Sequence, residues 1–495
     1  MKFLIFAFLG CFLAQGATAE TRDSLSYHIE ARATAGGGGD FAPMWFSANK
    51  YGLASVEPNS GLLKAGLEYN KKMNYHWKLK VGVDLAGGYD LTQNVIVQQA
   101  YADIAWRCLQ LSVGSKERKP LGKDLSLSSG AMVEEGNARP IPQIRAEIED
   151  YVAVPGTKKW LSFKGHFAYG VFTDGNWQED FAAPHYKTYM KKTLYHSKSA
   201  MFRIGNTEKR PWEFEIGLLV STQFGGEQYE WKQNANRWEV MEMPHGFKDL
   251  LTAIIPTQGG ADTPGGDQVN VAGNFIGSWN AAFTYYWKDW KFRAYYEHLF
   301  EDESQMFMQY GRWKDGHLGL EVTFPKNPFV TKVLWEGLST KDQSGPILYD
   351  GFLGNYDHQI SASDNYYNNY FYQGWSHWGQ GMGNPLLPGP IYNKDGSMMF
   401  RSNRTRANHV AFCGNPTEEW NYRVKLSYAE HWGIYINPLD KMMRQFSSMY
   451  EVGYQPKQLR GWTFQAALGW DQGDYIGNSV GGMITIKKDG VLWKR

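Results

Sequence analysis

Trp77-Lys78-Leu79-Lys80-Val81-Gly82-Val83-Asp84-Leu85 is the stretch on which the fold turns. In an extended chain its odd-numbered residues share one face, and all five are apolar. Lys78, Lys80 and Asp84 fall on the other face. Trp420-Asn421-Tyr422-Arg423-Val424-Lys425-Leu426-Ser427-Tyr428 repeats the pattern far along the chain. A tilted strand of about ten residues crosses a bilayer, and a barrel alternates lipid-facing with lumen-facing residues. The repetition predicts an all-β protein: one large transmembrane antiparallel β-barrel with long surface loops.

Working outward, the same alternation opens at 25–35 (Leu25, Tyr27, Ile29, Ala31) and becomes regular from about 61. Strands are predicted at 61–70, 75–87, 94–105, 107–115, 143–151, 160–172, 199–205, 212–224, 274–287, 290–300, 305–312 and 316–324. They continue at 330–338, 406–413, 420–433, 447–455, 461–470, 478–487 and 490–495, giving roughly eighteen to twenty with the candidate at 25–35. Lys288-Asp289 and Lys488-Asp489-Gly490 read as hairpin turns, whereas 116–142, 173–198, 225–273 and 339–405 are long insertions. A soluble sandwich would also alternate, but the strand lengths and one-sided lysines fit a wet lumen better. Trp160, Trp287, Trp290 and Trp470 stand near segment ends, where interfacial girdles need them.

Residues 1–19 read as a secretory leader: Lys2, an apolar run from Phe3 to Ala14, and the small-residue site Ala17-Thr18-Ala19. A lipoprotein signal at Cys11 would leave too short an apolar core. Residues 20–60 form a Gly-rich segment with a candidate first strand, and 61–495 are assigned to the barrel. Beyond the leader no run approaches the length of a membrane helix. Mean hydropathy is −0.49, which a barrel tolerates because half of every strand is polar. The chain has 51 basic and 50 acidic residues, and losing Lys2 balances them, which argues against nucleic acid as a partner. Cys108 and Cys413 are too few for a disulfide framework, although one bond between them is left open.

Two segments stand apart. Ser128 to Arg145 contains Gly136-Asn137-Ala138-Arg139-Pro140-Ile141-Pro142, whose prolines forbid a regular strand. Asn137, Arg139 and Arg145 are candidates for gripping an acidic sugar; the plainer reading pairs the arginines with nearby carboxylates. Asp364 to Pro385 interleaves Tyr366, Tyr367, Asn369, Tyr372, Trp375 and Trp378 with amides. Aromatic faces stack on sugars and amides bond hydroxyls, so these six are candidate polysaccharide ligands. The alternative is an aromatic loop folded into the lumen as a plug. Metal-ligand spacings, nucleophile elbows and phosphate loops are missing, so neither a cofactor nor a metal is expected. The acidic pairs Glu179-Asp180 and Glu301-Asp302-Glu303 read as solvated loops. A Ser/His pair distant in sequence is left open.

The stretch from Ser129-Gly130-Ala131-Met132 to Pro142, with Tyr366-Tyr367-Asn368-Asn369, Gly374-Trp375-Ser376 and Gly383-Asn384-Pro385-Leu386, resembles the Wzi family of outer-membrane capsule-assembly proteins. The resemblance implies a monomeric barrel of about eighteen strands in a Gram-negative outer membrane. It also implies a lectin that helps hold capsular polysaccharide at the cell surface, with polysaccharide and membrane lipid as its partners. One departure is the Gly-rich start, where that family carries a small helical bundle. The expected role is non-catalytic polysaccharide binding. A diffusion channel and an outer-membrane enzyme acting on lipid or glycan are the alternatives.

Overall fold

The computed structural model describes residues 23–254, 273–301, 306, 315–343, 346–348, 360–361 and 365–495. The predicted leader lies outside them, as does the expected strand at 305–312 apart from Met306. Eighteen strands form one closed antiparallel meander. In chain order they are β1 (Ser24–Gly37), β2 (Ser60–Lys72), β3 (Trp77–Tyr89), β4 (Val95–Trp106), β5 (Leu109–Ser115) and β6 (Gln143–Ala153). Next come β7 (Leu161–Val171), β8 (Leu194–Ile204), β9 (Trp212–Phe224), β10 (Asn274–Trp287), β11 (Trp290–Phe300) and β12 (Gly316–Thr323). The last six are β13 (Lys332–Ser339), β14 (Thr405–Gly414), β15 (Trp420–Gly433), β16 (Pro438–Tyr454), β17 (Trp462–Gly473) and β18 (Ser479–Lys494). Each strand pairs with the next, and β1 closes on β18, with Ser24 opposite Lys494 and Gly37 opposite Val480.

Closure through β1 corrects the expected boundary at 61, because the barrel begins at Ser24. The hairpin expected at Lys488-Asp489-Gly490 is also absent: those residues run inside β18, opposite Ile29, His28 and Tyr27. Gly490 lies under the Tyr27 ring, where a β-carbon would sit 2.4 Å from a ring atom. That packing role, rather than a turn, accounts for the glycine. Lys288-Asp289 does turn, with Lys288 at φ 53°.

The alternation of the opening stretch sorts sides as expected. Val81, Val83 and Leu85 are 41%, 40% and 50% exposed on the outer wall, whereas Asp84 is 3% exposed inside. Isoleucine, leucine, valine and aromatic residues continue this apolar belt around the cylinder, the surface a barrel turns to lipid. No helix among the described residues is long and apolar enough to cross a membrane; the strands do so. Cys108 and Cys413 are free thiols.

The two rims differ. One carries both ends of the sheet and the tight links 73–76, 107–108, 154–160, 205–211, 288–289, 324–331, 415–419 and 455–461. Trp77, Trp106, Trp160, Trp212, Trp287, Trp290, Trp420, Trp462 and Trp493 ring this rim as an interfacial girdle. The other rim carries the long connections 38–59, 116–142, 172–193, 225–273, 301–315 and 340–404, together with the short links 90–94, 434–437 and 474–478. Outer-membrane barrels keep short turns on the periplasmic side and long loops outside, which orients the molecule.

Candidate functional site

Inside the cylinder, charged side chains on the strands pair with one another. Lys64 meets Asp84 at 3.2 Å, Arg145 meets Glu147 at 2.6 Å, Arg293 meets Glu215 at 2.9 Å, and Arg423 meets Glu451 at 2.7 Å. Above this charged vestibule the lumen is filled by three loops. The segment 116–142 dips down and climbs again, 365–403 folds over it, and the single helical turn Met44–Ser47 wedges in from the β1–β2 connection.

Burying irregular backbone requires partners for its polar groups, and the strand walls supply them. Glu297 on β11 accepts from the Lys123 Nζ (2.5 Å) and from the Met132 amide (3.0 Å). Glu336 on β13 accepts from the Ser128 hydroxyl and the Ser129 amide, both at 2.6 Å. His409 on β14 reaches the Leu127 carbonyl at 2.8 Å, and Lys425 on β15 donates to the Ser128 carbonyl at 3.2 Å. Opposite them, the hydroxyls of Tyr195 and Ser221 donate to Glu134.

The two segments singled out in the sequence are the two halves of this plug, and they bond to each other. Trp375 Nε1 donates to the Val133 carbonyl (2.8 Å), Asn137 Nδ2 to the Gly381 carbonyl (3.0 Å), and Asn384 Nδ2 to the Gly130 carbonyl (2.8 Å). The Tyr367 hydroxyl donates to the Met132 carbonyl. Gly383 packs against the same carbonyl, where a β-carbon would approach to 2.3 Å. Their apolar faces join one cluster with Trp45, Phe46, Phe172 and Phe400.

This packing places the candidate ligands as follows. Tyr366 and Tyr367 are each 1% exposed and Trp375 is 0% exposed, so none has a free face for a sugar. Tyr372 and Asn137 are buried, and half-buried Asn369 caps a turn by accepting the Phe371 and Tyr372 amides. Arg139 and Trp378 are brought together, with the guanidinium 4.0 Å from the ring centre. Arg139 meets Gln93 at 3.3 Å and the Thr92 hydroxyl rather than a carboxylate. Arg145 belongs to the β6 wall and pairs with Glu147, as the plainer reading had it.

Burial also sets the charges of the plug. The Glu135 carboxyl is pushed up to about 7 and the Arg139 guanidinium down to about 10. His377 is held down at about 4 by burial, with Nδ1 2.9 Å from the Arg139 carbonyl and Nε2 2.6 Å from the Thr173 carbonyl. Asp124, by contrast, is lowered to about 2: its hydrogen bonds to Lys332 and Ser126 outweigh burial.

The described members of the acidic pairs have other partners. Glu301 accepts the Tyr367 amide, Asp302 and Glu303 lie outside the described residues, and Glu179 is tied to Lys191 at 2.6 Å. Ser/His contacts do occur, His166 with Ser197 (2.8 Å) and Ser199 (2.7 Å), His409 with Ser427 (2.7 Å) and His317 with Ser129 (3.3 Å), and all of these side chains are buried. Among the described residues no cluster has the make-up of a metal site.

Sequence reasoning missed the outer crown. Strands Glu227–Lys232 and Arg237–Glu242 form a hairpin over the plug, joined at one edge by Tyr189–Lys191. Trp231 faces Trp238 across the hairpin (5.5 Å), Tyr186 packs on Trp231 (4.8 Å), and Tyr189 stacks on Tyr229 (4.9 Å). Tyr186 is 61% exposed and Tyr370, beside the hairpin, 70%. The signal was present in Tyr229-Glu230-Trp231 and Trp238-Glu239-Val240 flanking a polar Asn-Ala-Asn turn.

No protein-family model matches the chain, and no curated protein is significantly similar to it in sequence. Its architecture does match solved structures. One is that of Wzi, an outer-membrane protein involved in group 1 capsule assembly in Escherichia coli and described as a carbohydrate-binding β-barrel. The TM-score is 0.54 at 13% identity, over 93% of this chain and 83% of that one. Others are Acinetobacter baumannii OccAB4 (TM-score 0.48, 10% identity, 96% and 100% coverage) and Pseudomonas aeruginosa OpdL (0.46, 9%, 96% and 100%). Identities this low establish the fold alone: the chain is an eighteen-stranded barrel of the Gram-negative outer membrane.

Proposed function

We propose that the protein binds an extracellular or capsular polysaccharide and helps hold it at the cell surface, without catalysis. The observation that carries this reading is the aromatic crown on a filled barrel. Tyr186, Trp231, Trp238 and Tyr370 present ring surface on the outer rim, directly above a lumen closed by packed side chains. Ring faces stack on sugar C–H faces, while the flanking Lys232, Glu230, Arg237 and Glu239 supply hydrogen-bonding groups for hydroxyls. The carbohydrate-binding barrel Wzi has the same architecture, and the family likeness of the two plug segments is part of this reading. In it, the candidate residues of the plug act by shaping the crown's floor.

The test is deletion of the gene in its own host, followed by measurement of polysaccharide in the medium and on the cells. Shedding is the expected result, and unchanged retention overturns the proposal. The channel reading predicts open conductance in planar bilayers, whereas a filled lumen should pass little current.

A further inference from the structure

We infer a second ligand site inside the barrel, an inward-facing chamber that takes an acidic sugar unit. This rests on the polysaccharide reading above and adds the chemistry of the polymer. The chamber has a volume of about 90 Å³ and lies between the descending stretch 116–121, the plug residues 134–141 and the inner faces of β6 to β9. That is room for roughly six to nine water-sized groups, the carboxylate and adjoining hydroxyls of one sugar.

Three cations border it without a carboxylate within ion-pair distance among the described residues: Arg118, Lys119 and Arg139. Arg118 spends its terminal nitrogens on the Lys116 carbonyl (3.2 Å) and the Ser112 hydroxyl (2.9 Å). The Nε atoms of Arg118 and Arg139 are buried with no hydrogen-bond partner. Two acceptors are stranded at the same wall, Glu135 Oε1 and Gln143 Oε1. Buried polar atoms ordinarily find partners, so four orphans around one cavity mark a place where something polar belongs. Unused donors with excess positive charge ask for an anion. Gln143 Oε1, and Glu135 Oε1 when ionised, ask for hydroxyl groups. A uronate-type sugar offers both.

The mouth faces the vestibule. Exposed Lys119 stands where the plug dips toward the short-turn rim, and the residues that follow bond to side chains near that rim. Gly122 receives from Arg293 (3.0 Å), Asp124 from Lys332 (2.8 Å) and Ser126 from Arg423 (3.0 Å). A ligand therefore enters from the periplasmic side, away from the crown.

The test uses the full-length protein in detergent, titrated calorimetrically with glucuronate, glucose and inorganic phosphate. Saturable, salt-sensitive glucuronate binding is expected, with glucose silent and phosphate weaker. Lys119→Gln, a change at an exposed position, should weaken it severalfold, and Lys119→Gln with Arg118→Gln by about tenfold or more, the size of a lost charged hydrogen bond. Heat-modifiable migration on gels checks that each variant is folded. Absence of saturable glucuronate binding, or binding indifferent to Lys119→Gln in a folded variant, overturns the site. Phosphate binding as tight as glucuronate overturns the sugar assignment. Crown variants should leave glucuronate titration unchanged, so failure here and failure of surface retention are read separately.

Discussion

Glu135 shows how a single side chain can tie the plug to pH. One of its oxygens accepts the Ala131 amide and the other has no partner, so burial favours the protonated form and lifts the carboxyl to about 7. A carboxyl raised in the folded state stabilises below its unfolded value near 4.5, and that contribution is lost as pH rises through 7. Relative to their intrinsic exchange rates at each pH, amides of 128–138 should therefore be better protected at pH 5 than at pH 8, and Glu135→Gln should flatten that difference. A profile that Glu135→Gln leaves unaltered would contradict this. Asp124 works in the opposite direction: lowered to about 2 by its bonds to Lys332 and Ser126, it stabilises above about pH 4 and ceases to as pH falls toward 2. Gly383 is a packing position, since a β-carbon there meets the Met132 carbonyl at 2.3 Å. Gly383→Ala should loosen the plug by about 1–3 kcal/mol, the usual cost of overpacking, and faster exchange at 130–133 would report it.

Individual strands were legible wherever one face meets lipid, because the period-two signal is then imposed by two solvents. It weakened where that contrast fades. In β16, Met442-Met443 breaks the alternation, and the front of that strand went unread. Lys488-Asp489-Gly490 has turn composition, yet Tyr27 needs the glycine in the middle of a strand. The plug segments were conspicuous in sequence but ambiguous in chemistry. Aromatics with amides suit a sugar, and they equally suit an anhydrous interior in which amides must serve backbone carbonyls, as Asn137 and Asn384 do. Only the fold decides between them, by burying Tyr366, Tyr367 and Trp375 and leaving Tyr186 and Tyr370 in the open. At this scale the crown hairpin carries the sharpest expectation. Trp231→Ala with Trp238→Ala should abolish retention of polysaccharide while heat-modifiable migration stays normal, because the eighteen-stranded sheet does not include the hairpin. Retention that survives the double change would count against the crown.

For the molecule as a whole, the contrast between a turn rim and a loop rim gives a topology that intact cells can check. Epitope tags inserted at 235 and 395 should be reached by antibody from outside, and one at 156, in a β6–β7 turn, should not. Removing 365–403 should raise conductance in planar bilayers, since those residues cover the segment 128–138 from above. A silent deletion variant that still migrates as a folded barrel would mean that 116–142 seals the lumen unaided.

The pairing of β1 with β18 has a consequence for the chain's tolerance to trimming. In an open sheet the outermost strand is dispensable, because losing it breaks a single ladder. Here the final strand is stitched on both flanks, to β17 and to β1. Cutting it away would strip two ladders at once and leave two raw edges in hydrocarbon, with no water to quench their amides. A ring has no spare end, and a shortened chain of this kind should be lost to proteolysis before it ever reaches the membrane.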